Sequence, residues 1–171
     1  MQFDGLDTLI TTNQTDMASV ALSLDAMTST MNTVVTAGGH PQAIIMSYRE
    51  LQRVSNLILS SYYRLTQNGA GSMADIPAGV AVTRWISPFG TLDLIGSRFI
   101  TPTYTLNTAY VIDDKSATDD GNALFMCDLM PVSAIDLALL QSAYRTLIAE
   151  FTVLTMTIEI FQAKIINIAA P

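Results

Sequence analysis

The chain has 171 residues, of which 8 are Lys or Arg and 15 are Asp or Glu, so its formal net charge is −7. This is the length of one ordinary domain, or at most two small ones. Charged residues make up 13% of the sequence, against ~25% in a usual soluble domain, and apolar residues make up 50%. Such a composition fits a membrane protein, a protein with a very apolar core, or a subunit largely covered by neighbours.

The pattern of these residues argues against several classes of protein. A spanning helix needs ~20 consecutive, mostly apolar residues, whereas the longest uncharged stretch, 26–48, is interrupted by glycine, histidine and proline. No basic region followed by an apolar block indicates a secretory signal. The acidic balance and the lack of a basic stripe argue against nucleic-acid binding. The single cysteine, Cys127, excludes an internal disulfide framework and fits synthesis in a reducing compartment.

In chain order, a turn at Gly5 and a short ordered stretch come first, and an amphipathic helix is predicted next, over 17–35. Its apolar residues recur every three or four positions, at Met17, Val20, Leu24, Met27, Met31 and Val34. Thr15 or Asp16 would cap this helix, and Gly38 and Gly39 would end it, with Pro41 beyond as a stop. The opposite face is rich in Thr, Ser, Asn and Ala and nearly uncharged, so we expect it to pack against something too.

A buried strand at 43–46 and a second helix beginning at Ser47 follow. Ser47 and Glu50 form an S-x-x-E capping box at the start of this helix. After a glycine-rich loop at 68–79, alternation with a period of two over 80–86, a turn at 87–90 and a returning strand at 91–95 predict a β-hairpin. Trp85 is expected to be a core residue.

The C-terminal part begins with a short strand at 109–112, a polar loop at 113–122 and a strand at 124–126. A short helix or turn is predicted at 131–140. From 144 onward, dense β-branched residues indicate a very long strand with a bulge or break near Val153–Leu154, and a helix is the alternative. A final strand is predicted at 161–168.

Few side chains offer a reactive site. His40, the single histidine, lies in the helix stop and is expected to hydrogen-bond locally rather than to catalyse. Cys127 lies in an apolar run and is expected to be a buried, inert thiol. Gly69-Ala70-Gly71 lacks the third glycine and the preceding strand of a phosphate-binding loop.

The only candidate metal site is an acidic loop. Its members are Asp113, Asp114, Asp119 and Asp120. Their spacing is not that of an EF-hand and no Glu closes the loop, so a solvated turn is favoured and a small domain binding a divalent cation is the alternative. An enzyme pocket around Arg84, Arg98 and 113–114, or a cation–π or anion-binding patch of Arg84, Trp85 and Arg98, is disfavoured. Period two puts Arg84 and Trp85 on opposite faces, and no acid–base or nucleophile pair converges. No catalytic residue and no cofactor are predicted.

The order of several phrases resembles the major capsid proteins of tailed phages, which have an encapsulin-like capsid fold. The phrases are FDGL-x-x-LI (3–10), the helix 17–35 with its AGGHP ending, AIIMSYRELQRVSNLI (43–58), SPFGTL, SRFI and AYVID (87–113), and 148–168 with QAKII. The resemblance covers nearly all of the chain, and the order of the phrases is more specific than any one of them. The family's N-terminal arm and extended loop, which usually precede FDGL, are expected to be missing.

This resemblance implies an α+β capsid-type fold with a long spine helix, a long-stranded peripheral sheet and an axial domain of mixed sheet and helices. The peripheral part would comprise about 1–38 and 131–161, and the axial part about 39–130 and 162–171, of a single subunit. The implied function is a structural shell subunit, a homo-oligomer that self-assembles through lateral contacts in a virion capsid after synthesis in the host cytoplasm. No enzymatic activity, small-molecule substrate, membrane or sequence-specific nucleic acid is expected. The residues expected to matter structurally are Gly38, Gly39, Pro41, Ser47, Glu50 and Trp85.

Overall fold

The computed structural model describes residues 5–68, 83–100, 106–114, 123–140 and 143–169. The helices are α1 (Leu6–Leu9), α2 (Leu24–Thr36) and α3 (Tyr48–Asn68), with a 3₁₀ turn at Glu159–Phe161. The strands are β1 (Gln14–Asp16), β2 (Ala43–Ser47), β3 (Arg84–Ser87), β4 (Gly90–Ser97), β5 (Leu106–Ile112), β6 (Leu124–Leu140), β7 (Ala143–Met156) and β8 (Ala163–Ala169). This mixture confirms the predicted α+β class.

Six of the strands form one mixed sheet in the order β1-β8-β5-β2-β4-β3. The pairs β1–β8 and β2–β4 are parallel, and the remaining pairs are antiparallel. Paired positions share a face of a sheet, so Ile44, Leu94 and Val111 lie on the same side. The buried apolar residues of α2 and α3 join these side chains in a single core, so both helices cover that one face. Lys164, which pairs with Tyr110 on the other face, reaches Asp7 of α1 instead.

The prediction of a long spine helix is wrong, because α2 has 13 residues and begins at Leu24. Ala18 and Ser19 have positive φ angles of 48° and 63°, which a right-handed helix does not accommodate. The backbone there follows β8 instead, since the Met17 N–H donates to the Ile166 carbonyl. Pairing with a strand distant in sequence therefore outcompetes the helical period at this end.

The cap of α2 also differs from the prediction. Ser23 Oγ accepts a hydrogen bond from the Ala26 N–H at 3.2 Å. Asp16, predicted as a cap, accepts from the Ala18 N–H in the preceding turn, and this bond holds the pKa of Asp16 below its usual value. Most of the polar face of α2 is exposed in the single chain, so a partner for it stays a prediction.

The two glycines at the end of α2 are needed for different reasons, one for its backbone conformation and the other for close packing. Gly38 has a φ of +100°, the conformation predicted for a residue that ends a helix. Gly39 is instead required for close packing, because a Cβ there would lie 2.8 Å from Val34 Cγ1 and 3.1 Å from Phe161 Cβ. Pro41 follows and is buried. The turn thus fixes the chain between the helix and the start of β2.

The predicted strand at 43–46 and the helix after it are confirmed as β2 and α3. Ser47 Oγ accepts from the Glu50 N–H at 3.4 Å, which is one half of the capping box. The fully buried Glu50 carboxylate does not complete the box. It accepts from Asn107 Nδ2 at 3.0 Å and lies 3.4 Å from Arg53 Nη1. Glu50 therefore ties α3 to β5 through a buried polar contact.

The predicted hairpin is confirmed as β3 and β4 where the structure describes it. Trp85 is partly buried against the core, and Arg84, on the other side of β3, lies 2.9 Å from Asp93. The predicted strand residues 80–82 and nearly all of the predicted loop 68–79 lie outside the described residues. The predicted strands at 109–112 and 161–168 correspond to β5 and β8.

The region 124–156 differs most from the prediction. Residues 131–140 belong to β6, so the helix or turn predicted there is wrong. β7 continues through Val153 and Leu154, which pair with Cys127 and Met126, so the predicted break and the alternative helix are also wrong. Two of the register shifts lie between Asp128 and Ser133 of β6, and a third lies between Leu137 and Leu140. The first irregular stretch accommodates Pro131, which has no N–H to donate to a regular ladder.

Candidate functional site

The β6–β7 hairpin is the part of the described chain that has no core of its own. Its strands form a separate two-stranded sheet, and no residue at 124–136 or 146–156 is buried. A two-stranded hairpin on its own is marginally stable in water, and stability usually needs more strands or packing against another element. We therefore expect contacts beyond its own two strands to stabilise this hairpin.

The register of the hairpin sorts its side chains onto two different faces, because directly paired residues point the same way. One face contains no charged residue in the region where side chains are described, and we call it the charge-free face. It consists of Phe125, Cys127, Met130, Ser133, Ile135, Leu147, Ala149, Phe151, Val153 and Thr155. The prediction that Cys127 is buried is wrong, because its side chain is exposed on this face.

The opposite face carries carboxylates, and we call it the acid-bearing face. Its acidic residues are Asp128, Asp136 and Glu150. Thr146 Oγ1 donates to Asp136 at 3.0 Å, and Thr152 Oγ1 donates to Glu150 at 3.1 Å, as expected for side chains on one face. The two faces thus differ in charge, while both expose large apolar side chains, Met126 at 63% and Ile148 at 70% on the acid-bearing face.

The exposure of the charge-free face is unusual for large apolar side chains. Phe125, Ile135, Leu147 and Phe151 are each between 40% and 50% exposed. Leu129, within the irregular stretch of β6, is 86% exposed. Contiguous exposed apolar patches usually mark an interaction surface.

A second feature, the attachment of the N-terminal segment, depends on residues far apart in sequence. Glu159 Oε1 accepts hydrogen bonds from the backbone N–H and hydroxyl groups of both Thr11 and Thr12. These bonds lower the pKa of Glu159 to about 2, chiefly through the Thr11 hydroxyl and N–H. Lys164 Nζ donates to the Asp7 carbonyl at 2.8 Å and lies 3.2 Å from its carboxylate. The segment 7–12 is thereby clamped to the final part of the chain, an arrangement that local sequence patterns do not reveal.

The predicted acidic loop is not assembled as a metal site in the described residues. Asp113 is fully buried, and its carboxylate accepts from the His40 N–H at 2.7 Å. Gln162, which the sequence did not single out, donates to the Asp113 carbonyl at 2.7 Å and accepts from its N–H at 2.9 Å. Asp119 and Asp120 lie outside the described residues, and within the described ranges no three His, Cys, Asp or Glu side chains are grouped as metal ligands. Asp113 therefore closes the turn before β2 and gives no support to a cation site.

The cationic residues considered for a pocket are engaged separately. Arg84 pairs with Asp93, and the Arg98 guanidinium lies 5.5 Å from the ring centroid of Phe99. A groove of about 510 Å³ runs along α3 and is lined by Arg49, Gln52, Arg53, Asn56, Leu57 and Ser60. Arg53 in this groove is bound to Glu50 and to the Ala169 carbonyl. Among the described helices, none is long and apolar enough to cross a membrane.

Comparison with known proteins gives two findings. A family model described as SU10 major capsid protein matches residues 1–120. Among solved structures, the chain is similar to the holo-SrpI encapsulin complex from Synechococcus elongatus PCC 7942, with a TM-score of 0.56 and 10% sequence identity. The match covers 96% of this chain and 56% of the encapsulin chain, so the chain spans little more than half the length of that protein. No curated protein sequence matches.

Proposed function

Because the chain belongs to the SU10 major capsid protein family, we propose that it is a structural shell subunit that assembles with copies of itself through lateral contacts. The observation that carries this proposal is the family match over residues 1–120. The encapsulin-like fold agrees with it, since it places the chain among proteins with a capsid-type architecture. A shell subunit presents different patches to different neighbours, which close into rings and lattices.

The surface of the molecule supports the same proposal on physical grounds. Only 13% of the residues are charged, and the β6–β7 hairpin exposes large apolar side chains. In a free monomer such a surface favours non-specific association. In a shell the neighbours cover it, so sparse charge is tolerated.

The proposal extends to location, chemistry and internal organisation. The subunit would be made in the host cytoplasm and would end in the virion capsid, with no catalytic activity and no small-molecule substrate. Its peripheral part would comprise about 1–38 and 131–161 and its axial part about 39–130 and 162–171. The six-stranded sheet draws β1 from the first part and its remaining strands from the second, so the two parts would share one core.

The proposal is tested by measuring the mass of the purified full chain over a range of concentrations with light scattering, followed by negative-stain microscopy. We expect multi-subunit species that grow with concentration, and rings or curved particles on the grid. Trp85, the single tryptophan, packs against the core and reports by its fluorescence that the chain is folded. A folded chain that stays monomeric at every concentration would contradict self-assembly.

A further inference from the structure

We propose that the charge-free face of the β6–β7 hairpin is buried against a second copy of this chain, while the acid-bearing face stays in solvent. This inference rests on the proposed function as a shell subunit and assigns one of its lateral contacts to a defined surface. It separates neighbouring residues of one strand, such as Leu147 and Ile148, into an interface position and a solvent position.

The distribution of charge supports this choice of face. Asp128, Asp136 and Glu150 all lie on the other face, whereas the charge-free face presents Phe125, Leu147 and Phe151 half-exposed to water. Burying a carboxylate without a partner costs several kcal/mol, so the acid-bearing face is a poor candidate for a dry contact. The charge-free face can be desolvated without leaving any carboxylate unpaired.

The net charge of the chain favours a second copy as the occupant. Two copies carry −7 each and repel one another, so they associate most readily where carboxylates are absent. A basic partner would be drawn to the acid-bearing face instead, and an anionic lipid surface would be repelled by it. Every other copy of the chain is itself acidic and carries the same charge-free face, so a second copy meets both requirements.

The dimensions of the face suit a shell contact that is completed by other surfaces. The charge-free residues of β7 run from Leu147 to Thr155, nine residues or roughly 30 Å, and two strands are about 10 Å wide, so the face has an outline of roughly 300 Å². This is at the lower end of the range of the largest apolar patches of ordinary monomers, ~300–600 Å², and less than half of one partner's share of a specific interface, ~800 Å². Other surfaces of the subunit would supply the remainder.

The same substitution at two adjacent positions tests which face of the hairpin is buried on self-association. Leu147 is 49% exposed on the charge-free face, and Ile148 is 70% exposed on the acid-bearing face. We expect Leu147→Glu to weaken self-association of the full chain by roughly tenfold or more, because it buries an unpaired carboxylate. Ile148→Glu should change it by less than about twofold, because that side chain stays in water. Trp85 fluorescence and thermal melting are the controls that check whether both variants keep the folded sheet.

Cys127 provides a second readout on the assembled wild-type chain. It is the only cysteine and lies on the charge-free face, so its reaction with a thiol reagent should be slowed in assemblies relative to dissociated chains. Met126→Cys in a Cys127→Ala background moves the thiol to the acid-bearing face, where it should stay reactive.

The outcomes separate this inference from the proposed function. A wild-type chain that never assembles overturns the proposed function, and the inference with it. A wild-type chain that assembles while Leu147→Glu assembles equally well overturns the inference alone, as does equal loss in both variants. Protection of Cys127 in a monomer, by lipid or by another protein, overturns the assignment of the face to a second copy.

Discussion

The six-stranded sheet and the β6–β7 hairpin are both rich in apolar residues, yet they expose them differently. In the sheet, α2 and α3 cover one face, and Met27, Met31, Val34 and Ile44 have no exposed surface. In the hairpin, no side chain is buried at 124–136 or 146–156. Apolar residues in the first region stabilise the single chain, whereas those in the second can gain burial only through contacts outside the hairpin. A substitution should therefore affect folding in one region and association in the other.

Among the substitutions that test this difference between the two regions, Val34→Asp is expected to change the free energy of unfolding most. Val34 is fully buried in the core, so the variant would bury an unpaired carboxylate and lower the free energy of unfolding by about 4 kcal/mol or more. Ile148→Asp on the hairpin should change it by less than about 0.5 kcal/mol. Urea unfolding followed by Trp85 fluorescence measures both. Equal stability of Val34→Asp and the wild type would show that the core does not sit where α2 meets the sheet.

A smaller effect is expected where α2 turns towards β2. Gly39→Ala would place a Cβ 2.8 Å from Val34 Cγ1 and 3.1 Å from Phe161 Cβ, so we expect a loss of about 1–3 kcal/mol through overpacking. Gly5→Ala is the matched control, since nothing lies within 4 Å of its added Cβ. The midpoint of urea unfolding distinguishes the two variants. A Gly39→Ala chain as stable as the control would mean that the turn yields without strain.

The smallest effect concerns the clamp between Glu159 and residues 11–12. The ordinary pKa of Glu is 4.5, and hydrogen bonds from Thr11 and Thr12 lower the pKa of Glu159 to about 2. A lowered pKa in the folded state means that the carboxylate contributes its full stability above pH 4.5 and loses it as the pH falls towards 2. Calorimetric melting across this window should show a steeper fall in Tm for the wild type than for Glu159→Gln. Parallel curves would exclude the clamp as a source of acid sensitivity.

Local signals predicted the elements whose residues are close in sequence. The strand and helix at β2 and α3 follow from an apolar run and the cap at Ser47, and the β3–β4 hairpin follows from period two and a tight turn. The first seven residues of the predicted spine helix, 17–23, are not helical because Met17 pairs with Ile166, about 150 residues away. The start of β6 was predicted as a strand at 124–126, but 131–140 was assigned to a helix or turn, whereas the structure continues β6 past Pro131 through a register irregularity.

The candidate surface was only partly visible in the sequence. Sparse charge indicated a covered subunit, and the helical period predicted a partner for the polar face of α2, which stays a prediction, while nothing in the sequence singled out the exposed hairpin. Alternation within one strand puts Leu147 and Ile148 on opposite faces. Which of these faces also carries Asp128 and Asp136 of β6 depends on the register of the two paired strands, which the sequence of one strand does not give. The network of Asp113, His40 and Gln162 likewise joins three distant segments, so the acidic loop alone predicted a solvated turn, with a cation site as the alternative, whereas Asp113 is buried in the structure.

The position of β8 has a consequence for the order of events during synthesis. Among the described strands β8 comes last in sequence, yet it lies between β1 and β5 in the sheet. The sheet cannot be completed until the ribosome has finished this strand, by which time the entire hairpin has already been made. Pairings of such long sequence separation form slowly, so the newly made chain exposes its strand edges for a time. The rate at which β8 inserts would then determine when a subunit first becomes competent to join others.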